Sequence, residues 1–597
     1  MCGIAGILSI DSNPNPPSHR LELMQKALQH RGPDDEGIYI SPDRQAALAH
    51  TRLSILDLSS AGHQPMSTDD RRYWITFNGE VYNFAELRQD LITQGEQFNS
   101  QTDTEVILKL YQRLGSDCVR HFRGMFAFAI WDDWEKTCFL ARDPLGIKPL
   151  YYWHSGSTLV FASELRAVIA SGLPAVKMSR EGLHGYLLTG SVPEPHTLIE
   201  GVKCLTAGHT LAWQNGNITP QQYWQIDFTP QALDPITARE KVRTAIIDSI
   251  QHHFISHVPV GLFLSGGIDS TAILALAQNT QSEPLRTFSI AFAETEWDES
   301  SIAKRTAEHF GAKHTEYKIT AAVAIDLLPE FLDSIDQPSV DAFNTFCVSK
   351  VARDNGMKVV LSGLGGDEIF GGYPSFQKIP QMLDWGQKLQ TVPLVGSLIG
   401  RGLSTWGNSP KLNRLGNFLQ QPVNSATAYG TYRGVFSQAE AQIIARQYLP
   451  DNLAYSRQPV PSESNCSTLE DEVSYLEIGN YMRNQLLRDS DVMSMKWGLE
   501  LRTPLVDRVL IEAVAPIPSQ IRLAAGKQIL IEAIPELPDW VVNRPKQGFV
   551  FPFDRWMSSE FGSYFQNINI PPHISLEPWS RRWSLAMLQH WWERVSA

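Results

Sequence analysis

Two stretches of this chain hold residues whose types and spacing could do chemistry, and they imply two different reactions. In the first, Ser265-Gly266-Gly267-Ile268-Asp269-Ser270 follows the apolar run Val258 to Leu264 and leads into a second apolar run ending at Ala277. That order reads as strand, tight loop and helix. Glycines without a Cβ let backbone N–H groups approach an oxyanion. Asp269-Ser270-Thr271 would open a helix whose unpaired N–H groups and partial positive charge face the same point. The loop is a phosphate cradle, but the G-x-x-x-x-G-K-[ST] spacing and the lysine of a Walker A loop are missing. A different phosphate chemistry is implied.

The second reaction centres on Cys2. Initiator methionine is normally trimmed when a small side chain follows, and trimming would leave Cys2 carrying the free α-amine. An amine with a pKa near ~7.7–8.0 can take the proton of a thiol with a pKa near ~8.5, so one residue would hold both nucleophile and base. A small buried cysteine is the plainer alternative. Asn78-Gly79-Glu80, after the strand-like Tyr73–Phe77, offers an amide group and a glycine N–H, the two donors of an oxyanion hole. Arg52 could grip a carboxylate and Asp103 an ammonium group, which together would suit an amino-acid substrate. Taken singly, each could equally be a solvated charge or a helix cap.

These groups need scaffolds. Residues 2 to 213 read as strand-rich, with β segments at Gly3–Ile10, Ala47–Leu56, Tyr73–Phe77, Ala127–Trp131, Cys138–Ala141, Leu150–Tyr152 and Leu159–Phe161. Helical patterns interleave at Leu21–Gln29, Phe84–Thr93 and Thr104–Leu114. Turn signals at Asp132-Asp133 and Ser155-Gly156 predict hairpins, hence a layered α+β domain of antiparallel sheets with helices. From Trp213 to Thr237 the text is polar and irregular, as at a domain junction, with helical periodicity from Arg239.

The second domain, residues 236–597, alternates strands at Arg286–Phe292 and Lys358–Gly363 with helices at Asp298–Phe310 and Ala322–Asp333. This pattern predicts an α/β doubly wound parallel sheet with extra helices, its ligands at the strands' C-terminal edge. A second glycine-rich turn, Leu361-Ser-Gly-Leu-Gly-Gly-Asp-Glu-Ile-Phe-Gly-Gly-Tyr373, would face the first there. Asp269 and Asp367 could then share a Mg²⁺ that bridges phosphates, though either could instead cap a helix. The segment from Ile379 to Thr468 offers no chemistry and reads as packing.

Composition narrows the partners. A net charge of −13 without a long Lys/Arg run argues against nucleic acid and anionic membranes, so small molecules are expected. Six cysteines, none in a C-x-x-C pair, fit a reducing, cytoplasmic setting. The apolar stretch Val392–Gly400 falls short of the ~20 residues of a spanning helix. The N-terminus lacks the basic start and cleavage site of a signal peptide.

Met1-Cys-Gly-Ile, His30-Arg-Gly-Pro-Asp34, Thr51-Arg-Leu-Ser-Ile55, Phe77-Asn-Gly-Glu-Val-Tyr-Asn83, Gly124-Met-Phe-Ala-Phe-Ala129 and Ala141-Arg-Asp-Pro-Leu-Gly146 resemble a class II, N-terminal-nucleophile (Ntn) glutaminase domain. The resemblance implies an Ntn-hydrolase-type sandwich with Cys2 as nucleophile, Asn78 and Gly79 as oxyanion hole, and Arg52, Asn78, Glu80 and Asp103 holding glutamine. Downstream, the two glycine-rich turns, Asp491-Val-Met-Ser-Met495, Glu500-Leu-Arg-Thr-Pro-Leu-Val-Asp507, Gly526-Lys527 and Arg544-Pro-Lys-Gln-Gly-Phe549 resemble the ATP-pyrophosphatase half of glutamine-hydrolysing asparagine synthetases. That likeness implies ATP contacts at Leu264, Ser265, Gly266, Gly267, Asp269, Ser270, Ile290, Ser362 and Gly363, with Lys527 beside the departing phosphates.

The implied reaction is amidation of aspartate to asparagine through β-aspartyl-AMP, with ATP and Mg²⁺ and with glutamine as nitrogen donor. Two positions depart from the family: Leu364 stands where an acidic residue is usual, and Val492 where arginine is frequent. Leucine neither accepts a proton nor holds an ammonium, so a different acceptor carboxylate is the alternative. A non-catalytic regulatory homologue is the rival from another class. Assembly as a homodimer stays open.

Overall fold

The computed structural model describes residues 1–10, 17–278, 283–292, 300–390, 399–403, 409–449, 466–544, 552–559, 561–565, 568–569 and 574–597. Residues 392–398 of the apolar stretch and 545–549 of the Arg544–Phe549 motif lie outside them.

The N-terminal half is built from two six-stranded antiparallel sheets. One runs, edge to edge, Val202–Cys204, Tyr151–Ser155, Thr158–Ala162, Gly3–Leu8, Ala46–Arg52 and Asp35–Ile40; the other runs Asn217–Gln222, His209–Gln214, Thr137–Arg142, Gly124–Asp132, Tyr73–Val81 and Met66–Ser67. Their layering follows from the period of two along each strand. Ile4 and Leu8 of the first sheet meet Ala127, Ala129 and Trp131 of the second between the sheets. The alternate residues Ala5 and Ile7 face the helix Pro17–Ala27, and Phe126, Phe128 and Ile130 face the helix Asp103–Leu114. Helix, sheet, sheet, helix is the resulting order, the sandwich expected.

The stretch expected as an irregular junction starts instead with a hairpin. His209–Gln214 turns through Asn215 and Gly216, with φ of 50° and 78°, into Asn217–Gln222, and two successive positive φ values make the tight turn whose twist suits adjacent strands. Asn and Gly tolerate that conformation, so the polar text is turn chemistry within the sheet. The next helix, Pro235–His253, begins earlier than its periodicity suggests because Asp234 caps it, accepting from the N–H groups of Ile236 and Thr237.

The C-terminal half holds a five-stranded sheet, all parallel, in the order Lys313–Ile319, Arg286–Phe292, Val260–Phe263, Val359–Leu361, Glu500–Arg502. The chain starts in the middle and winds outward on both sides, so the order reverses at Val260–Phe263. Ligands bind at such a switch point. Both glycine-rich turns leave the sheet there, from Phe263 and from Leu361. Helix Glu477–Leu487 is wound as a π-helix, a form frequent at functional sites.

The halves are locked by buried charge. Arg123 donates to both carboxylate oxygens of Asp507, at 3.0 and 2.9 Å, and to Asp248 at 2.6 Å. Among the described residues no helix is long and apolar enough to cross a membrane.

Candidate active site

Cys2 lies at the head of the strand Gly3–Leu8 and is buried. Its N–H donates to Asn78 Oδ1 at 2.9 Å. The other end of that amide, Asn78 Nδ2, is buried with no hydrogen-bond partner among the described residues. A buried orphan donor is a group that calls for an explanation, and here it belongs to the amide that binds the Cys2 backbone. Gly79 follows with φ 150°, and a Cβ there would overlap the Met125 carbonyl of the neighbouring strand. Only glycine fits that approach. Burial pushes the Cys2 thiol up, against the pull of the chain's amine, a backbone hydrogen bond at Leu53 and the charge of Arg52.

Arg52 stands where its strand ends. Its guanidinium donates to the carbonyls of Leu56 at 3.2 Å, Asp57 at 2.5 Å and Ser59 at 3.0 Å. These bonds fold residues 53–59 out of the sheet, so the strand expected to reach Leu56 stops at Arg52. Asp103 opens its helix and accepts from the Val81 N–H at 2.9 Å. Burial pushes its carboxyl up to about 7 against that hydrogen bond. Glu80 is buried nearby, and burial followed by the charge of Glu500 raises its carboxyl well above the usual range. Arg502 lies 3.4 Å from it.

With Met1 in place, the α-amine belongs to Met1 and sits 3.0 Å from Glu500 Oε2, both groups fully buried. Burial would raise Glu500, but the amine, Arg502 and Lys148 outweigh it and hold the carboxyl at about 2. The Cys2 nitrogen is an amide in this state, so loss of Met1 is what would turn it into a base.

In the second half, Ser265 and Ser270 close the loop on itself, Oγ to Oγ 3.1 Å. Gly266 has φ 73°, and Gly267 caps the helix Ile268–Ala277. The second glycine-rich turn packs directly on this helix start: a Cβ on Gly363 would lie 2.9 Å from the Ser270 nitrogen. A cavity of about 310 Å³ opens between the turns, lined by Leu264, Ser265, Gly267, Asp269, Ser270, Ile290, Ser362, Gly363, Leu364 and Asp367. Gly266 apart, every position expected to touch ATP meets there.

Lys527 follows Gly526 with its own φ at 61°, a conformation that costs a non-glycine residue. It brings Nζ to 2.5 Å from Asp269 Oδ2 and into contact with Asp367 Oδ1. Burial alone would lower this ammonium, but the two carboxylates outweigh it and raise it. Two carboxylate oxygens meeting at one cation are the hard donors that Mg²⁺ takes together with phosphate oxygens. Among the described residues no group of three or more His, Cys, Asp or Glu is placed to hold a metal.

The sequence motifs did not show what joins the two centres. Arg31 Nε donates to the Cys2 carbonyl at 3.0 Å and Arg31 Nη1 pairs with Asp491 at 2.8 Å. Asp491 also meets Lys148 at 3.2 Å. Ser490, next to Asp491, and Leu501, next to Glu500, both line the cavity between the glycine-rich turns. Arg31 and Asp491 fall in recognised motifs, yet nothing local to either shows that they pair across the halves.

A family model described as a glutamine amidotransferase domain matches residues 1–224, and one described as asparagine synthase matches residues 241–591. Glutamine-hydrolysing asparagine synthetase 1 of Bacillus subtilis strain 168 is 33% identical, over 95% of this chain and 90% of its own length. Glutamine-hydrolysing asparagine synthetase B of Escherichia coli K12 is 33% identical over 64% of this chain and 66% of its own. A fungal relative named amidase chry2, from Gibberella zeae, is 25% identical over 93% and 90%. The chain belongs to the asparagine synthase family, the glutamine-dependent carbon–nitrogen ligases.

Proposed function

We propose that this enzyme converts aspartate to asparagine in two coupled steps, with residues 2–213 and their appended hairpin as glutaminase and residues 236–597 as synthetase. The carrying observation is the pair of prepared centres joined through Arg31 and Asp491: a nucleophile beside an orphan amide donor, and a cradle at the sheet's switch point.

After loss of Met1, the Cys2 amine takes the thiol proton and Sγ attacks the amide carbon of glutamine. Asn78 Nδ2 and the Gly79 N–H stabilise the oxyanion as charge develops there. Collapse expels ammonia and leaves a thioester, which water cleaves to glutamate. Glu80 and Asp103 face the substrate's ammonium. Arg52 shapes the neighbouring loop and supplies positive charge to the substrate carboxylate.

In the synthetase half, the first-turn N–H groups at Gly267 to Ser270 and the Ser265 hydroxyl bind the phosphates. The acceptor carboxylate attacks the α-phosphorus and pyrophosphate departs, with Lys527 placed to balance its charge. Mg²⁺, when bound by Asp269 and Asp367, would neutralise phosphate charge. Ammonia then attacks the acyl carbon of the mixed anhydride, releasing AMP and the amide.

A second reading keeps this machinery and changes the acceptor. Its support is Leu364, half-buried on the wall shared by the nucleotide cavity and a second cavity of about 570 Å³, where the family's usual acid is missing.

Glutamate and pyrophosphate release, assayed with glutamine, ATP, Mg²⁺ and aspartate, tests the proposal. Aspartate-dependent pyrophosphate supports it. Glutamate without aspartate-dependent pyrophosphate moves the assignment to another carboxylate, and neither product leaves only a binding role.

A further inference from the structure

Besides the polar cradle, the cavity between the glycine-rich turns has an apolar wall of Phe263, Phe288, Val348 and Leu501, and Ser289 lines it too. An apolar wall takes the flat ring of a base, and a few polar groups set into it fix the ring's orientation. Ser289 belongs to the strand Arg286–Phe292, whose parallel partner Lys313–Ile319 sets His314 opposite Thr287. Thr287 and Ser289 are two residues apart and so share one face of the sheet. The imidazole bridges them there: Nδ1 lies 2.9 Å from Thr287 Oγ1 and Nε2 lies 3.1 Å from Ser289 Oγ.

Counting hydrogens fixes the direction of both bonds. Thr287 is fully buried, and among the described residues its hydroxyl meets only His314. A buried hydroxyl hydrogen without an acceptor is costly, so Thr287 donates to Nδ1. Burial, against the pull of Glu316 and Glu308 and with the push of Lys304, holds the His314 pKa below its ordinary value. The ring is then neutral, with its one proton on Nε2, and Nε2 donates to Ser289 Oγ. Ser289 accepts that bond and keeps its own hydrogen, for which the described residues offer no acceptor. At 6% exposure on the cavity wall, this hydroxyl is left as a donor for whatever occupies the cavity.

We propose that Ser289, oriented by His314, donates a hydrogen bond to a ring nitrogen of the purine of ATP, so that Thr287, His314 and Ser289 act together in selecting the base. The inference rests on the nucleotide reading above and adds to it the side chain that recognises the ring. Three ring nitrogens of adenine, N1, N3 and N7, carry lone pairs that such a donor can meet. His314 does not line the cavity; it is a positioning residue that acts through the Ser289 hydroxyl.

The test is equilibrium dialysis of ATP and of its 1-deaza, 3-deaza and 7-deaza analogues, each with one ring nitrogen replaced by C–H, on the full chain, Ser289→Ala and His314→Ala. At least one analogue is expected to bind about fivefold or more weakly than ATP. In Ser289→Ala that penalty should vanish, because ATP itself weakens by as much. In His314→Ala it should shrink, while the other analogues keep their order. If no analogue binds more weakly than ATP to the full chain, the contact is overturned without recourse to a variant. Penalties that Ser289→Ala leaves unchanged for all three analogues overturn it as well, and a penalty left intact in His314→Ala overturns the positioning role. Pyrophosphate release, followed in parallel, separates this contact from the amidation reading. The expected pattern of affinities without pyrophosphate upholds the contact while amidation falls; pyrophosphate without the pattern does the reverse. No retention of ATP overturns the contact together with the nucleotide reading.

Discussion

Arg31 and Asp491 form a buried ion pair, Nη1 to Oδ2 2.8 Å, that ties the residue holding the Cys2 carbonyl to the helix whose Ser490 lines the cavity between the glycine-rich turns. Asp491 also pairs with Lys148 at 3.2 Å, so its loss leaves that buried ammonium without its carboxylate while Arg31 keeps Glu164 at 2.8 Å. Breaking a buried pair from one side costs about 3–5 kcal/mol. Asp491→Asn should therefore lower the denaturation midpoint. Where the variant still folds, more glutamate should form per amide product. An unchanged ratio would mean that the pair is structural only.

Asn78→Ala removes the orphan Nδ2. Loss of one oxyanion donor costs roughly 10²–10³ in kcat, so glutamine hydrolysis should fall by that amount with little change in KM. Pyrophosphate release supported by added ammonium salts should persist, since that chemistry runs at the other site. Equal loss of both activities would place Asn78 in the scaffold.

The glutaminase should carry a pH limb. The Asp103 carboxyl, pushed up to about 7 by burial, is neutral below that pH and a poor partner for an ammonium, so kcat/KM for glutamine should rise with pH through about 7. Asp103→Asn should flatten the limb. Stability runs the other way. The folded carboxyl binds its proton more tightly than an unfolded one near ~3.9, so its contribution is full below that value and is lost as pH rises through about 7. Denaturation across this window in wild type and Asp103→Asn checks the sign.

Lys527→Gln removes the cation between Asp269 and Asp367. Two facing carboxylates are then left to repel, and pyrophosphate release should drop while its Mg²⁺ requirement changes. Glutamine hydrolysis measured alone should be retained. Parallel loss of both would assign Lys527 to folding.

Elements with a strong local pattern were legible in the sequence. The helix Phe84–Thr93 and the strand Arg286–Phe292 end where their apolar periods end. Lys313–Ile319 was not legible, because an edge strand exposed or half-buried up to Ile319 carries Lys, Glu and His in place of an apolar run. Glu500–Arg502 is only three residues long, and its charges are buried through partners far away, Met1 and Glu80. The candidate catalytic residues lie in compact motifs, each with a backbone reason for its composition. That Arg31 pairs with Asp491 was not legible, because only tertiary packing brings the two together.

The central claim is that glutamine hydrolysis at Cys2 feeds amidation at the cradle of Ser265 to Ser270. Its most direct test is the stoichiometry of the purified enzyme with glutamine, ATP, Mg²⁺ and aspartate, run on wild type and Cys2→Ala. The account predicts glutamate, pyrophosphate, AMP and asparagine in equal amounts from wild type. From Cys2→Ala it predicts no glutamate, and asparagine only when ammonium is added. Glutamate release that survives Cys2→Ala, or asparagine formed without pyrophosphate, would contradict it.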